Sequence, residues 1–234
     1  MQNRINISGV LIAVFALVWL LFGCERHNET LAPVQREQPA YEGTIVAVGD
    51  SLTAGLGVNE EDAYPALLEK KLRAGGYPWR VVNAGISGET SSGTLSRVNW
   101  ILKLKPDIVI LETGANDGLR GVDPRVTRRN IDETINMFRK NDVIVVLAGM
   151  RMVRNLGPEF TASFGAVYTG LARKHDLILI PFFLKGVAGE PTLNQADGIH
   201  PTAEGYRIIA ETVYPSVREA IDRKKTMRLH EKTP

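Results

Sequence analysis

Short apolar runs alternate with helical patterns along the chain after residue 43. The apolar runs have the length of buried strands and are rich in β-branched residues; they cover residues 44–49, 79–83, 107–112, 143–149 and 177–181. Between them, apolar residues recur three and four positions apart, as on one face of a helix. This periodicity is clear at 64–72, where Gly75-Gly76 ends the helix, and again after Pro124.

The final helical pattern covers about 202–221, with Pro215 inside it. Continuous apolar strands separated by helices form parallel sheets that are covered on both faces. The sequence therefore predicts an α/β domain, a three-layer α/β/α sandwich around a five-stranded parallel sheet. In such sheets, ligands bind at the carboxyl ends of the strands.

The segment before the first strand has a different pattern. An uninterrupted apolar run at 10–22 follows Arg4 and precedes Gly23 and Cys24. It is shorter than the roughly 20 residues of a membrane-spanning helix, and its flanks are typical of a secretory signal peptide. Its end also resembles the lipobox of bacterial lipoproteins, in which the cysteine is lipidated and becomes the first mature residue. An uncleaved anchor helix with an incidental cysteine is the alternative.

These patterns divide the chain into four parts. We expect a signal peptide of the lipoprotein type at 1–23, a flexible tether at 24–43, a domain at 44–222 and a basic, solvated tail at 223–234. Lipidation of Cys24 would make the protein an exported lipoprotein. It would be anchored at the periplasmic face of the outer membrane or elsewhere on the secreted side of the envelope.

Composition narrows the classes of function. The 28 basic and 26 acidic residues nearly balance, and no basic stripe with interleaved aromatic residues is present, so nucleic-acid binding is not expected. Cys24 is the one cysteine, which excludes a disulfide framework and a cysteine-clustered metal site. His27, His175 and His230 have no partner at metal-ligand spacing and are expected to be solvated. Neither a metal nor a cofactor is expected.

Candidate catalytic residues follow the predicted strands. Ser51 comes directly after the first strand in the sequence Gly-Asp-Ser-Leu, where the glycine permits a sharp turn that exposes the hydroxyl. Asp197 lies three residues before His200, just ahead of the last helix. A serine nucleophile needs a base, and that base needs an acid to orient it. Taken singly, each motif also fits an ordinary turn, and the glycine-rich loop lacks the lysine of a phosphate-binding P-loop.

Two further loops offer donors for an oxyanion. Backbone N–H groups are accessible near Gly85 and Gly88 after the second strand, and Asn116 follows the third strand with a side-chain amide. Local turn chemistry of Gly and Asn is the alternative explanation for both loops. What favours catalysis is that all four motifs occur in order at the ends of the first, second, third and last units.

In this combination the chain resembles the GDSL family, also called SGNH hydrolases, and within it the thioesterase I / protease I / lysophospholipase subgroup. The resemblance covers about 44–222. The stretches that carry it are GDSL at 49–52, VVNAGISGETS at 81–91, GANDGLRG at 114–121, PFFL at 181–184 and DGIHP at 197–201.

The resemblance implies a flavodoxin-like sandwich that needs no cofactor, with a role for each matching residue. Ser51 would be the nucleophile, His200 the general base and later acid, and Asp197 the residue that orients His200. The oxyanion hole would consist of the N–H of Ser51, the N–H of Gly88 and the side-chain amide of Asn116.

The expected function is therefore that of a monomeric serine esterase, which hydrolyses carboxylic esters or thioesters of small acyl substrates or lysophospholipids. Because acyl-CoA is cytoplasmic, export favours lysophospholipids, aryl esters and other simple esters. Two alternatives stay open: an esterase that removes O-acetyl groups from carbohydrate or cell wall, and a catalytically silent lipoprotein that binds ligands in the same pocket.

Overall fold

A five-stranded parallel sheet forms the centre of the structure, a computed structural model in which residues 40–152 and 156–231 are described. The strands are β1 (Gly43–Gly49), β2 (Trp79–Gly85), β3 (Ile108–Glu112), β4 (Ile144–Ala148) and β5 (Ile178–Ile180). They are ordered β2-β1-β3-β4-β5, and every neighbouring pair is parallel. The predicted sheet is thus confirmed, and each strand lies where the apolar runs placed it.

Helices connect the strands in the predicted alternation. They are α1 (Ser51–Ala54), α2 (Tyr64–Ala74), α3 (Ser91–Ser96), α4 (Val98–Leu102), α5 (Ala115–Leu119), α6 (Pro124–Arg139), α7 (Pro158–His175) and α8 (Ala203–Glu231). Helices α2 and α8 pack against each other, while α6 packs against α3 and α7. All five residues of β3 are buried, as a central parallel strand requires.

The order of the strands in the sheet determines where a ligand-binding crevice lies. The sequence order of neighbouring strands reverses at β1, because β2 lies on one side of it and β3 on the other. A crevice forms at such a switch point, outside the carboxyl ends of the strands, and there ligands bind in open α/β sheets. The turn from β1 into α1, which carries Ser51, begins at this crevice.

The last helix is longer than the sequence predicted. The apolar spacing placed its end near Ile221 and a frayed, solvated tail beyond it, but α8 continues to Glu231. Its basic residues bind the amino-terminal end of the sheet: Arg228 Nη2 donates to Asp107 Oδ1 at 2.7 Å, and Lys225 Nζ lies 2.8 Å from Glu42 Oε2. The prediction was wrong over 223–231 because these partners are distant in the sequence.

The predicted signal peptide, Cys24 and nearly all of the tether lie outside the described residues. Within the described ranges, no helix has the length and apolar character needed to cross a membrane.

Candidate active site

The turn between β1 and α1 brings Ser51 to the end of the sheet. Asp50 caps α1 through its side chain, whose Oδ1 accepts the N–H of Leu52 at 2.9 Å. Gly49 has no room for a side chain, because a Cβ there would lie 2.2 Å from Thr53 Oγ1 and 2.3 Å from Glu112 Oε2. The sharp turn predicted from the sequence therefore depends on glycine, and it holds the hydroxyl of Ser51 at the start of a helix.

The three residues predicted as a catalytic triad lie in one hydrogen-bonded chain. Ser51 Oγ is 2.8 Å from His200 Nε2, and His200 Nδ1 is 2.6 Å from Asp197 Oδ2. The other carboxylate oxygen of Asp197 accepts the backbone N–H groups of Ile199 and His200, at 2.9 and 3.0 Å. A tight turn thus holds the carboxylate and the imidazole together, although Ser51 is 149 residues away along the chain.

These contacts define the protonation of the site. The hydrogen bond from the His200 side chain, followed by the two backbone N–H bonds, holds the pKa of Asp197 well below its ordinary value. Asp197 is consequently ionised at neutral pH and acts only as a hydrogen-bond acceptor. This places the proton of a neutral His200 on Nδ1 and leaves the lone pair of Nε2 facing Ser51. A base in that state can remove the proton of the serine hydroxyl.

Both predicted oxyanion loops contact the turn that carries Ser51, since the N–H of Ile86 donates to the carbonyl of Gly49 at 2.9 Å and Asn116 donates to Asp50. Asn116, in the first turn of α5, donates one hydrogen of Nδ2 to Asp50 Oδ2 at 3.0 Å, which leaves its second amide hydrogen for another acceptor. Gly88 adopts a φ of +78°, a region that favours glycine, and its carbonyl accepts from Arg120 Nη2 at 3.0 Å. The N–H of Ser51, as the first residue of a helix, has no acceptor within that helix.

An ion pair that the sequence analysis did not predict fixes the Gly88 loop. Arg97 Nε and Nη2 donate to the two carboxylate oxygens of Glu89 at 2.6 and 2.7 Å, which makes a bidentate salt bridge between nearly buried side chains. Arg97 Nη2 also lies 3.4 Å from the carbonyl of Gly49. The pair therefore ties the loop after β2 to the end of β1. Its one sequence signal is a charge directly after Gly88 in an otherwise neutral stretch.

A second buried network joins the same loop to α5. Asp117 accepts the N–H of Ser91 at 2.7 Å and its hydroxyl at 2.5 Å. Asn130 Nδ2 in turn donates to Ser91 Oγ at 3.0 Å. Because Asp117 follows Asn116 and Ser91 follows the Gly88 loop, this network fixes the spacing between the two predicted oxyanion donors.

His175 has partners outside this site, and His27 lies outside the described residues. His175 is buried instead of solvated, with Nε2 at 2.5 Å from Asp132 Oδ1, so that expectation was wrong. The sequence pattern around His175 did not indicate this partner, because Asp132 lies on α6, 43 residues away along the chain. In the part of the chain that the structure describes, no group of three or more His, Cys, Asp or Glu is placed to hold a metal ion.

Comparisons with known proteins identify relatives of this chain. Residues 47–208 match the GDSL-like Lipase/Acylhydrolase family. Esterase TesA of Pseudomonas aeruginosa is 40% identical over 200 residues, which cover 85% of this chain and 96% of TesA. Thioesterase 1/protease 1/lysophospholipase L1 of Escherichia coli is 37% identical over 173 residues, 74% of this chain and 82% of that protein.

A solved structure supports the same assignment. The crystal structure of the psychrotrophic esterase EstA from Pseudoalteromonas sp. has a TM-score of 0.74 to this chain at 30% identity, and the match covers 77% of this chain and all of the other. Sequence and structure thus agree over the region that contains Ser51, Gly88, Asn116 and His200. The chain belongs to the GDSL-like lipase/acylhydrolase family, and it is a carboxylic ester hydrolase.

Proposed function

We propose that this esterase cleaves acyl esters and thioesters through a covalent acyl-enzyme on Ser51. His200 is the general base, Asp197 orients it, and Ser51, Gly88 and Asn116 donate to the oxyanion. The observation that carries the proposal is the hydrogen-bonded chain from Ser51 Oγ through His200 to Asp197, with contacts of 2.8 and 2.6 Å.

The acylation step follows from this arrangement. Ser51 Oγ attacks the carbonyl carbon as its proton moves to His200 Nε2, and the carbonyl electrons move to the oxygen. The N–H groups of Ser51 and Gly88 and the free hydrogen of Asn116 Nδ2 stabilise the negative oxygen. Collapse of the intermediate expels the alcohol or thiol, which takes the proton from His200. Asp197 stabilises the imidazolium between these two transfers.

Deacylation repeats the same proton transfers with water. Water gives a proton to His200 Nε2 as its oxygen attacks the acyl carbon, and Ser51 then leaves with that proton. The enzyme returns to its first state after release of the carboxylic acid.

Exposed apolar side chains close in sequence to the catalytic groups favour an acyl substrate. Each of the four segments that carry these groups exposes one large apolar residue, within five positions of the group itself: Leu56, Ile86, Leu119 and Ile199. Water contact of large apolar groups is unfavourable, and a hydrocarbon chain that covers them gains affinity. This pattern favours acyl esters and lysophospholipids over O-acetylated carbohydrate, whose small acetyl group and polar ring would leave most of that surface uncovered.

Two measurements test the proposed chemistry and substrate. Ser51→Ala is expected to abolish both hydrolysis of a p-nitrophenyl ester and labelling by a fluorophosphonate probe, and wild-type hydrolysis by this variant would refute the mechanism. A chain-length series of p-nitrophenyl esters, run beside lysophospholipid, acyl-CoA and acetylated sugar, tests the substrate. We expect acyl chains longer than acetyl to give the higher kcat/KM, and a preference for acetylated sugar would contradict the acyl assignment.

The cellular part of the proposal concerns Cys24. We propose that residues 1–23 are removed on export and that acyl chains on Cys24 hold a monomeric catalytic domain at the envelope, through the tether at 24–43. Support comes from the apolar run at 10–22, which ends two residues before the only cysteine of the chain. A Cys24→Ser chain that is not cut would keep this run as an anchor, so the test is attachment of labelled palmitate, which wild type is expected to incorporate and Cys24→Ser is not, while esterase activity persists in both. Absence of the label from wild type would refute lipidation.

A further inference from the structure

A carboxyl group lies beneath the nucleophile turn and is not used in the proposed chemistry. Glu112, the last residue of β3, is fully buried, and its Oε2 accepts the N–H of Asp50 at 3.2 Å and the hydroxyl of Thr53 at 2.9 Å. Its other oxygen, Oε1, is buried and accepts no hydrogen bond from the described residues. A carboxylate in such a place would be poorly solvated, which favours a neutral acid.

Asp50 is the direct neighbour of Glu112, since its backbone N–H donates to Glu112 Oε2 at 3.2 Å and its side chain is buried at the same turn, so an acid proton on one carboxyl group can be shared with the other. Two adjacent buried carboxyl groups cannot both ionise at low cost, and they hold one proton between them. Burial, and after it the charge of Asp50, raise the pKa of Glu112 well above its ordinary value. Burial also raises the pKa of Asp50, but the hydrogen bonds from Leu52 and Asn116 oppose this effect. The shared proton therefore belongs on Glu112.

Two cationic side chains lie near the pair: a protonated His200 acts on Asp50, and Arg97, which is paired with Glu89, has its Nη2 3.4 Å from the carbonyl of Gly49, the residue before Asp50. Three buried tyrosines from three helices lie near enough for the charge of Glu112 to act on them: Tyr64 of α2, Tyr168 of α7 and Tyr206 of α8. Burial raises the pKa of all three hydroxyls, so they stay neutral. The pair thus carries one negative charge, and that charge is on Asp50.

We propose that Glu112 is a positioning residue: as a neutral acid it donates its proton to Asp50, and it thereby keeps Asp50 as the anion that fixes the amide of Asn116. An ionised Asp50 can act only as a hydrogen-bond acceptor. It therefore binds the nitrogen of the Asn116 amide, and the structure contains this contact, from Nδ2 to Asp50 Oδ2 at 3.0 Å. The second hydrogen of Nδ2 is then directed to the oxyanion.

A protonated Asp50 would remove this control. Its O–H could donate to Asn116 Oδ1, and the amide, rotated by half a turn, would present its carbonyl oxygen to the developing negative charge. Glu112 therefore acts on catalysis through two other residues and without touching substrate. The inference rests on the proposed role of Asn116 in the oxyanion hole.

A mutant cycle tests this path. Glu112→Gln keeps a neutral group that can donate to Asp50 and accept from Thr53, so kcat for a p-nitrophenyl ester is expected to stay within about threefold of wild type. Glu112→Ala removes the donor and is expected to lower kcat by about 10- to 100-fold with little change in KM, as partial loss of one oxyanion donor would. Glu112→Ala combined with Asn116→Ala should be no slower than Asn116→Ala alone, because both changes remove the same interaction.

Val109→Ala is the matched control, since Val109 is also fully buried in β3 but has no polar side-chain atom. It is expected to lose stability and keep kcat. The infrared spectrum of wild type at pH 8 should contain the carbonyl band of a protonated carboxylic acid that Glu112→Gln lacks. The inference is overturned if that band is missing, if Glu112→Gln is as slow as Glu112→Ala, or if the effects of Glu112→Ala and Asn116→Ala multiply. Activity in Ser51→Ala, assayed beside these variants, would instead refute the proposed function.

Discussion

Replacing Asp197 by asparagine is expected to harm catalysis more than removing the side chain altogether. The backbone N–H groups of Ile199 and His200 both donate to one oxygen of Asp197, at 2.9 and 3.0 Å. In Asp197→Asn the amide oxygen must take that place, because an amide nitrogen would meet two other donors. The amide nitrogen then faces His200 Nδ1, where the carboxylate oxygen lies 2.6 Å away in the native chain.

The consequence is a change of tautomer. An N–H facing Nδ1 stabilises the imidazole with its proton on Nε2, which can no longer take the proton of Ser51. In a serine protease this effect lowers kcat by about 10,000-fold. Here the side chain of Asp197 is 45% exposed, so water competes for the amide, and we expect a loss of about 1,000-fold, or roughly 4 kcal/mol of transition-state stabilisation.

The alanine variant provides the comparison. In Asp197→Ala, water can occupy the exposed carboxylate site and accept from Nδ1, so His200 keeps the useful tautomer with a less certain orientation, and a loss of about 100-fold is expected. Both variants would be assayed as kcat for a p-nitrophenyl ester across pH, with circular dichroism to check folding. An Asp197→Asn enzyme that is faster than Asp197→Ala would refute the tautomer argument.

Three further predictions concern the groups that support the site. Gly49→Ala is expected to lower the free energy of unfolding by about 3 kcal/mol or more, measured by thermal unfolding, since the new Cβ would lie 2.3 Å from Glu112 Oε2. Gly165→Ala is the control: a Cβ there meets nothing within 4 Å, so this variant should be as stable as wild type or more stable. Arg97→Met leaves the buried carboxylate of Glu89 without its cation and should cost about 3–5 kcal/mol in urea unfolding. Adding Glu89→Gln to it should recover part of this loss, and a fully stable Arg97→Met would contradict the importance of the pair. Because the pKa of Glu112 is higher in the folded chain than its ordinary 4.5, the neutral acid stabilises the fold fully below that pH, and this stability is lost as pH rises. The unfolding free energy of Glu112→Gln minus that of wild type should therefore increase by up to about 1.4 kcal/mol per pH unit above the ordinary pKa, and a difference that does not change with pH would contradict a buried proton.

Local pattern alone was enough to place the five strands and helices α2 and α6. Each β-branched run predicted its strand, and the glycine pair at 75–76 predicted the end of α2, because strand and helix preferences are short-range properties of the chain. The order of the motifs along the chain was enough to bring Ser51, Asn116 and His200 to one edge, since the carboxyl ends of parallel strands share that edge.

The supporting contacts needed the folded chain. The sequence contains Glu112 at the end of an apolar strand, but burial beside Asp50 depends on the pairing of β1 with β3, which local pattern does not determine. The same holds for Asp132, which binds His175, and for the two acids that bind the end of α8, Asp107 and Glu42. All three lie in segments that are distant in the sequence from their partners. The sequence by itself thus determined where the strands form and which groups can react. Only the tertiary structure decided which charges are buried together, because burial and pairing arise between residues that are far apart along the chain.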